Sequence, residues 1–253
     1  MFENELFNTV DSITGWAGLG IRLSPELEKA VEVYETIRWT EVGHAFDIDI
    51  AKLAPADVES TIRDFAQHII TAWARQARLS PMGDAKLRMM SMSAAHIIKL
   101  SRQFAPEARD QLAVEFDTHA QAYTEAVQKL PEELTSESLI AAGPDAVSAY
   151  SAAQAEVEHL RQVRSWVSDI RGIPGLGVGD ADLVLNVLRP SGIEQLHRLD
   201  AALHGNVDPV LGRIDPVFAA AVHEGVEFGI NLPAESHRIR SELAYSPTIE
   251  FND

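Results

Sequence analysis

The chain has 253 residues, of which 46% are hydrophobic and 23% are charged, values typical of a folded protein with a substantial core. Its formal net charge of −17 disfavours nucleic acid as a partner, because an acidic surface repels a polyanion at long range. Cysteine is absent, which excludes disulfides, thiolate metal ligands and thiol nucleophiles.

Neither a secretory signal nor a membrane-spanning helix is expected. The N-terminal residues have no basic start and no long apolar run. No later stretch approaches the roughly eighteen uninterrupted apolar residues that a membrane-spanning helix needs. We therefore expect a soluble, cytoplasmic protein that makes no contact with a membrane.

Helical periodicity dominates the first part of the chain. A helix is predicted to begin at Pro25 with Ser24 as its N-cap, and its apolar face continues to Glu41 and His44. A second helix follows residues 54–57 and ends near residue 80. The residues that this second helix is predicted to turn inward are Val58, Ile62, Phe65, Ile69 and Trp73.

Three more helices are predicted before residue 171. One runs through Met89, Met92, Ile97 and Leu100, and we interpret the methionines near it, Met82 to Met92, as core residues. The next begins at Pro106, with an inward face of Leu112, Phe116, His119, Tyr123, Ala126 and Leu130. A long helix then follows Gly143, with Ala149, Ala153, Val157, Leu160, Val163, Val167 and Ile170 on its apolar face.

Glycine and proline become frequent beyond residue 171, and the predicted helices become shorter. They lie near residues 180–189, 192–204 and 215–228, and Pro233 begins a last one. Strand-like alternation is almost absent, so the predicted fold class is all-α. We predict a bundle of long amphipathic helices over residues 1–170, followed by a smaller domain of short helices over residues 171–253.

A glycine-rich corner opens this second part. Its order of residues is Ile173, Pro174, Gly175, Leu176, Gly177, Ala181, Leu183 and Val184. The pattern resembles the helix-hairpin-helix motif of DNA-binding proteins, over about residues 171–200. Residues 181–186 are similar to its second helix in DNA glycosylases of the endonuclease III class.

The resemblance implies a nucleic-acid-binding module. Backbone N–H groups around Gly175, Gly177 and Gly179 would donate hydrogen bonds to a phosphate oxygen. Arg164 and Arg171 would add positive charge. Where the family usually has Lys and Thr, this chain has Gly179 and Asp180, so glycosylase chemistry is not expected. Asp180 suits an N-cap for a helix beginning at Ala181. We predict a structural or protein-contacting corner, with nucleic acid as the alternative.

Glutamate and histidine recur at helical spacing. Three Glu-x-x-His pairs occur, at Glu41/His44, Glu156/His159 and Glu194/His197. Residues three apart share a helix face, and ferritin-like di-iron proteins use two such pairs with two further carboxylates. Glu194 and His197 lie beside the apolar face of their helix and are expected to be exposed.

The alternative metal hypothesis is a ferritin-like oxidoreductase with iron or manganese. Its candidate ligands are Glu41, His44, His119, Glu125, Glu156 and His159. No phosphate loop, nucleophile elbow or zinc-protease helix is present. Because catalytic signatures are missing, the favoured hypothesis is a non-enzymatic helical scaffold or assembly protein without a cofactor. It would bind a protein partner or itself.

Overall fold

The structure is a computed structural model that describes residues 3–42, 53–72, 81–205 and 208–245. It is all-α, as predicted from the sequence, with two strands of two residues each in the described part. The helices are α1 (Glu3–Thr14), α2 (Pro25–Trp39), α3 (Val58–Ala72), α4 (Pro81–Val127), α5 (Ser136–Ala141), α6 (Pro144–Ile170), α7 (Ile193–His204), α8 (Pro209–Ile214), α9 (Pro216–His223) and α10 (Pro233–Tyr245). Short 3-10 helices span Gly15–Leu19 and Pro55–Asp57.

The chain divides into two compact units. The first comprises Met1–Thr14 and Ser24–Ser101, and the second comprises Gly15–Leu23 and Arg102–Asp253. The long helix α6 and the short helices that follow it belong to the same unit. The units therefore do not divide at residue 171, although the composition of the chain changes there.

Helix α2 begins as its sequence predicts. The Ser24 hydroxyl accepts a hydrogen bond from the backbone N–H of Leu27 at 3.3 Å, and Pro25 occupies the first turn. The helix ends at Trp39, earlier than predicted. Its last turn is closed by the Thr40 N–H, which donates to the Thr36 and Ile37 carbonyls.

Helix α3 does not bury the face that the sequence predicts to be inward. The exposed fractions of Val58, Ile62, Phe65 and Ile69 are 38%, 64%, 41% and 42%. No side chain from Val58 to Ile70 is buried. Trp73, the last residue of the predicted face, lies outside the described residues. The prediction of an inward face is wrong for these four positions.

Helix α4 runs without a break through Pro106, where the sequence predicts one helix to end and another to begin. A proline inside a helix has no N–H to donate to the carbonyl four residues earlier. Ala105 and Ala108, on either side of the proline's turn, are completely buried. We attribute the continuity of α4 to this packing, which offsets the lost hydrogen bond.

Helix α6 forms the core of the second unit. Its predicted apolar face is confirmed, because all seven residues of that face are buried. Trp166 on the same helix packs edge-on against Trp16 of the first 3-10 helix, with 5.8 Å between ring centroids. Phe104 of α4 also stacks on Trp16, with 6.4 Å between ring centroids. Three segments distant in sequence thus share one aromatic cluster.

The helix predicted near residues 180–189 is absent. Residues 183–186 form turns, and Leu188–Arg189 (β1) pairs antiparallel with Glu227–Phe228 (β2). The buried Asn231 side chain donates to the Leu185 and Leu188 carbonyls, at 2.7 and 3.1 Å. These carbonyls are satisfied by a distant residue, so the segment does not need helical hydrogen bonds.

The helices predicted near residues 192–204 and from Pro233 are confirmed as α7 and α10. The helix predicted over residues 215–228 ends earlier, at His223, and β2 follows it. Gly225 has φ 64°, a left-handed conformation that ends α9 and lets the chain turn into the strand.

Candidate functional site

Three of the predicted metal ligands lie together in the second unit. His119 comes from α4, and Glu156 and His159 come from adjacent turns of α6. The His119 Nδ1 and Glu156 Oε2 atoms share a hydrogen bond of 2.5 Å. The two imidazole rings stack, with 4.1 Å between their centroids. The Glu-x-x-His spacing on α6 therefore identified a real cluster of side chains.

The other predicted ligands do not extend this cluster into a metal site. Glu125 is exposed and accepts a hydrogen bond from Gln121. Glu41 is exposed and follows the end of α2, so it is not on a helix, and His44 lies outside the described residues. In the described ranges, no group of three or more histidine and acidic side chains is arranged to hold a metal ion. Glu194 and His197 are exposed, as predicted.

His159 has unusual electrostatics. Its Nε2 atom is buried and has no hydrogen-bond partner among the residues that the structure describes. Burial lowers the pKa of the His159 imidazole below its ordinary value of 6.5, and the neighbouring His119 lowers it further. The carboxylates of Glu115 and Glu156 act in the opposite direction but do not cancel the effect. The folded protein therefore favours a neutral His159.

Acid should weaken the folded protein at this histidine. Because the pKa of His159 is lower in the folded chain, the unfolded chain binds more protons between the two pKa values. The stabilisation is present above pH 6.5 and is lost as the pH falls toward the folded pKa. We expect His159→Gln to lose less unfolding free energy than the wild type between about pH 7.5 and pH 5.5. Urea denaturation measures this difference, and His197→Gln, at an exposed histidine, is the control. Equal losses in His159→Gln and the wild type would contradict it.

The glycines of the corner are needed for close packing within the protein. A Cβ atom on Gly177 would lie 2.6 Å from the Arg171 carbonyl oxygen. Gly175 and Gly179 have φ values of 88° and 61°, which side chains disfavour. Their backbones lie against Arg102 and His237 respectively. The close approach is to other parts of this chain.

The arginines predicted to contact nucleic acid are bound internally. The Arg171 guanidinium donates to the Val178, Gly179 and Asp180 carbonyls. Arg164 donates to Asp215 at 2.8 Å and lies over the Phe218 ring at 4.6 Å. The helix predicted to start at Ala181 is also missing, so Asp180 is not its N-cap. The corner lacks the helix N-terminus that would receive a phosphate.

A methyl group at Gly177 should strain this corner. Because its nearest contact is backbone, we expect Gly177→Ala to lower the free energy of unfolding by about 2–3 kcal/mol. Gly18→Ala is the control, since no atom of the described part of the chain lies within 4 Å of the added Cβ, and its loss of unfolding free energy should stay within about 0.5 kcal/mol. Chemical denaturation of both variants checks the difference. Equal stabilities would show that the corner adapts freely.

The exposed apolar face of α3 is the feature that the sequence located but misassigned. Val58, Ile62, Phe65 and Ile69, hereafter the α3 face, follow one another at spacings of four, three and four. This alternation places all four on one side of the helix. Met82, Met89 and Met92 near the start of α4 are also exposed, which corrects their interpretation as core residues.

No protein-family model, curated protein or solved structure shows significant similarity to this chain. None of the helices in the described ranges combines the length and apolarity needed to cross a membrane.

Proposed function

We propose that this protein is a non-enzymatic helical assembly protein that associates with a second copy of itself through the α3 face. The observation that carries the proposal is the exposure of a regular apolar face on a helix with no buried side chain between Val58 and Ile70. An isolated helix of 15 residues is marginal in water, and most helices gain their stability by burying an apolar face. A partner helix would supply that burial.

The spacing of the α3 face favours another helix as the partner. Alternating steps of three and four residues are the pattern of paired helices, in which Ile62 and Ile69 would occupy equivalent positions. Isoleucine is among the residues that paired helices carry at such positions. A helix of this length extends about 22 Å, so the pairing would be short and the association moderate in strength.

The charges beside the α3 face permit pairing between identical helices. The flanking positions carry Glu59, Thr61, Ala66 and His68. Glu59 is the only acidic residue among these four positions. The net charge of −17 opposes association at long range, but salt screens such repulsion beyond about 8 Å at physiological ionic strength. Apolar contact between the two faces then decides the association.

Light scattering across a concentration series tests the proposal. The expected result is a molar mass that rises from one chain, 27.7 kDa, toward twice that value as concentration increases. The rise should persist at higher salt, because the contact is apolar. A mass of one chain at all concentrations up to the millimolar range would overturn the proposal.

A further inference from the structure

A half-open apolar cavity of about 330 Å³ lies in the second unit. It is bounded by the end of α4, the segment that follows it, and α7, α8 and α9. Its lining is apolar apart from Gly205, Glu132 and His223. Protein interiors are close-packed, so a space of this size falls in the range of small-molecule pockets, roughly 300–1,000 Å³.

The cavity results from small residues on facing helices. Ala201 and Ala202 of α7 and Ala219 and Ala220 of α9 line it, where larger apolar side chains would fill the space. Helices α7 and α9 pack against each other. The surrounding helices keep the walls in place without closing the gap. The fold itself therefore forms the pocket.

The polar groups of the cavity lie at its mouth. Glu132 and His223 are exposed to solvent, whereas Leu134 and Ile214 deeper in the wall are buried. A ligand would thus bury an apolar body inside and leave a polar end beside the Glu132 carboxylate. The chain's net charge of −17 disfavours an anionic end. A cationic end would pair with Glu132.

We infer that this cavity binds a small amphipathic amine, with the apolar body inside and the ammonium group beside Glu132. The binding is independent of the α3 face, which belongs to the other unit. Most of the affinity comes from removing apolar surface from water. The exposed ion pair adds a smaller preference for an amine over a neutral or acidic analogue.

Isothermal titration calorimetry with three matched compounds tests the inference. We expect 4-phenylbutylamine to bind more tightly than 4-phenylbutanol by roughly three-fold, and 4-phenylbutyrate to bind most weakly. No heat of binding with the amine would overturn the inference, and so would equal affinities for all three. Loss of the amine's affinity in a variant that removes self-association, Ile62→Asp, would also overturn it, because it would assign the ligand to the α3 face.

Two variants locate the binding. Glu132→Gln should abolish the preference for the amine over the alcohol, whereas Glu133→Gln, at the neighbouring exposed carboxylate outside the cavity lining, should preserve it. Ala220→Leu narrows the cavity by adding three carbon atoms to its wall and should weaken the binding of all three compounds several-fold. If Ala220→Leu does not fold, the Glu132 and Glu133 pair decides. An unchanged preference in Glu132→Gln would contradict the assignment.

Discussion

Replacement of Asp215 by alanine is expected to lower the free energy of unfolding by about 3–5 kcal/mol. Asp215 is 4% exposed, and its Oδ2 atom accepts hydrogen bonds from Arg164 at 2.8 Å and Arg161 at 3.4 Å. Its Oδ1 atom caps α9 by accepting from the Val217 and Phe218 N–H groups. Alanine would leave Arg164 partly buried without its carboxylate and would remove the cap.

The backbone of Asp215 adds to the expected loss. Its φ of 70° is left-handed, a conformation that aspartate and asparagine tolerate better than alanine. Asp215→Asn should therefore lose less stability than Asp215→Ala. Asp208→Ala is the matched control and should cost about 1 kcal/mol, because Asp208 caps α8 through one bond and forms no ion pair within the described ranges. Urea denaturation compares the three. A loss in Asp215→Ala no larger than in Asp208→Ala would contradict the expectation.

The double variant Ile62→Asp/Ile69→Asp is expected to weaken self-association by at least about 100-fold. Each aspartate would place a carboxylate inside an apolar contact, where it has no partner. The monomer should keep its fold, because both isoleucines are already exposed to solvent in the single chain. Sedimentation velocity measures the dissociation constant, and circular dichroism checks the helix content.

Ser60→Asp is the control for added negative charge on α3. Ser60 lies on the opposite side of the helix from the α3 face and is exposed. It should associate like the wild type. If the double variant associates as strongly as Ser60→Asp, the contact does not depend on the α3 face. If both variants fail to associate, the loss comes from negative charge on α3 and does not support a contact through the face.

The sequence predicted those elements in which local signals and tertiary packing agree. The face of α6 has apolar residues at regular helical spacing and is buried throughout, so periodicity was sufficient. Helix α2 has both a side-chain cap at Ser24 and a proline in its first turn. Such signals depend only on residues that are close in sequence, so they can be recognised before the fold is known.

The sequence could not predict elements that depend on distant residues. The apolar run at residues 183–188 has helical spacing but does not form a helix. The side chains of Asn231 and Ser236 donate hydrogen bonds to the Leu185 carbonyl instead. A proline normally ends a helix, but α4 continues through Pro106, and we attribute this to the burial of Ala105 and Ala108. In both cases tertiary contacts outweigh a local preference.

The candidate surface was found by the same periodicity but misassigned. An amphipathic pattern predicts that the apolar face of a helix is buried. It does not show whether the same chain or another chain buries that face. In the structure the α3 face is exposed, so the pattern alone did not show where this face lies. For the histidine cluster, the spacing of Glu156 and His159 identified one helix correctly. The contribution of His119 depends on how α4 and α6 pack, which the spacing alone does not specify.

Pulsed electron spin resonance on a singly labelled chain measures the proposed contact between copies. The natural chain has no cysteine, so Ala66→Cys provides one labelling site near the middle of α3. Paired helix axes lie about 8–10 Å apart, so a label at the middle should give a short interspin distance in either helix orientation. Val114→Cys, exposed on α4 in the second unit, is the reference site. We expect a short interspin distance between labels at residue 66, and this signal should disappear on dilution with unlabelled protein. If samples with twice the molar mass of one chain show no such distance, pairing through α3 is contradicted.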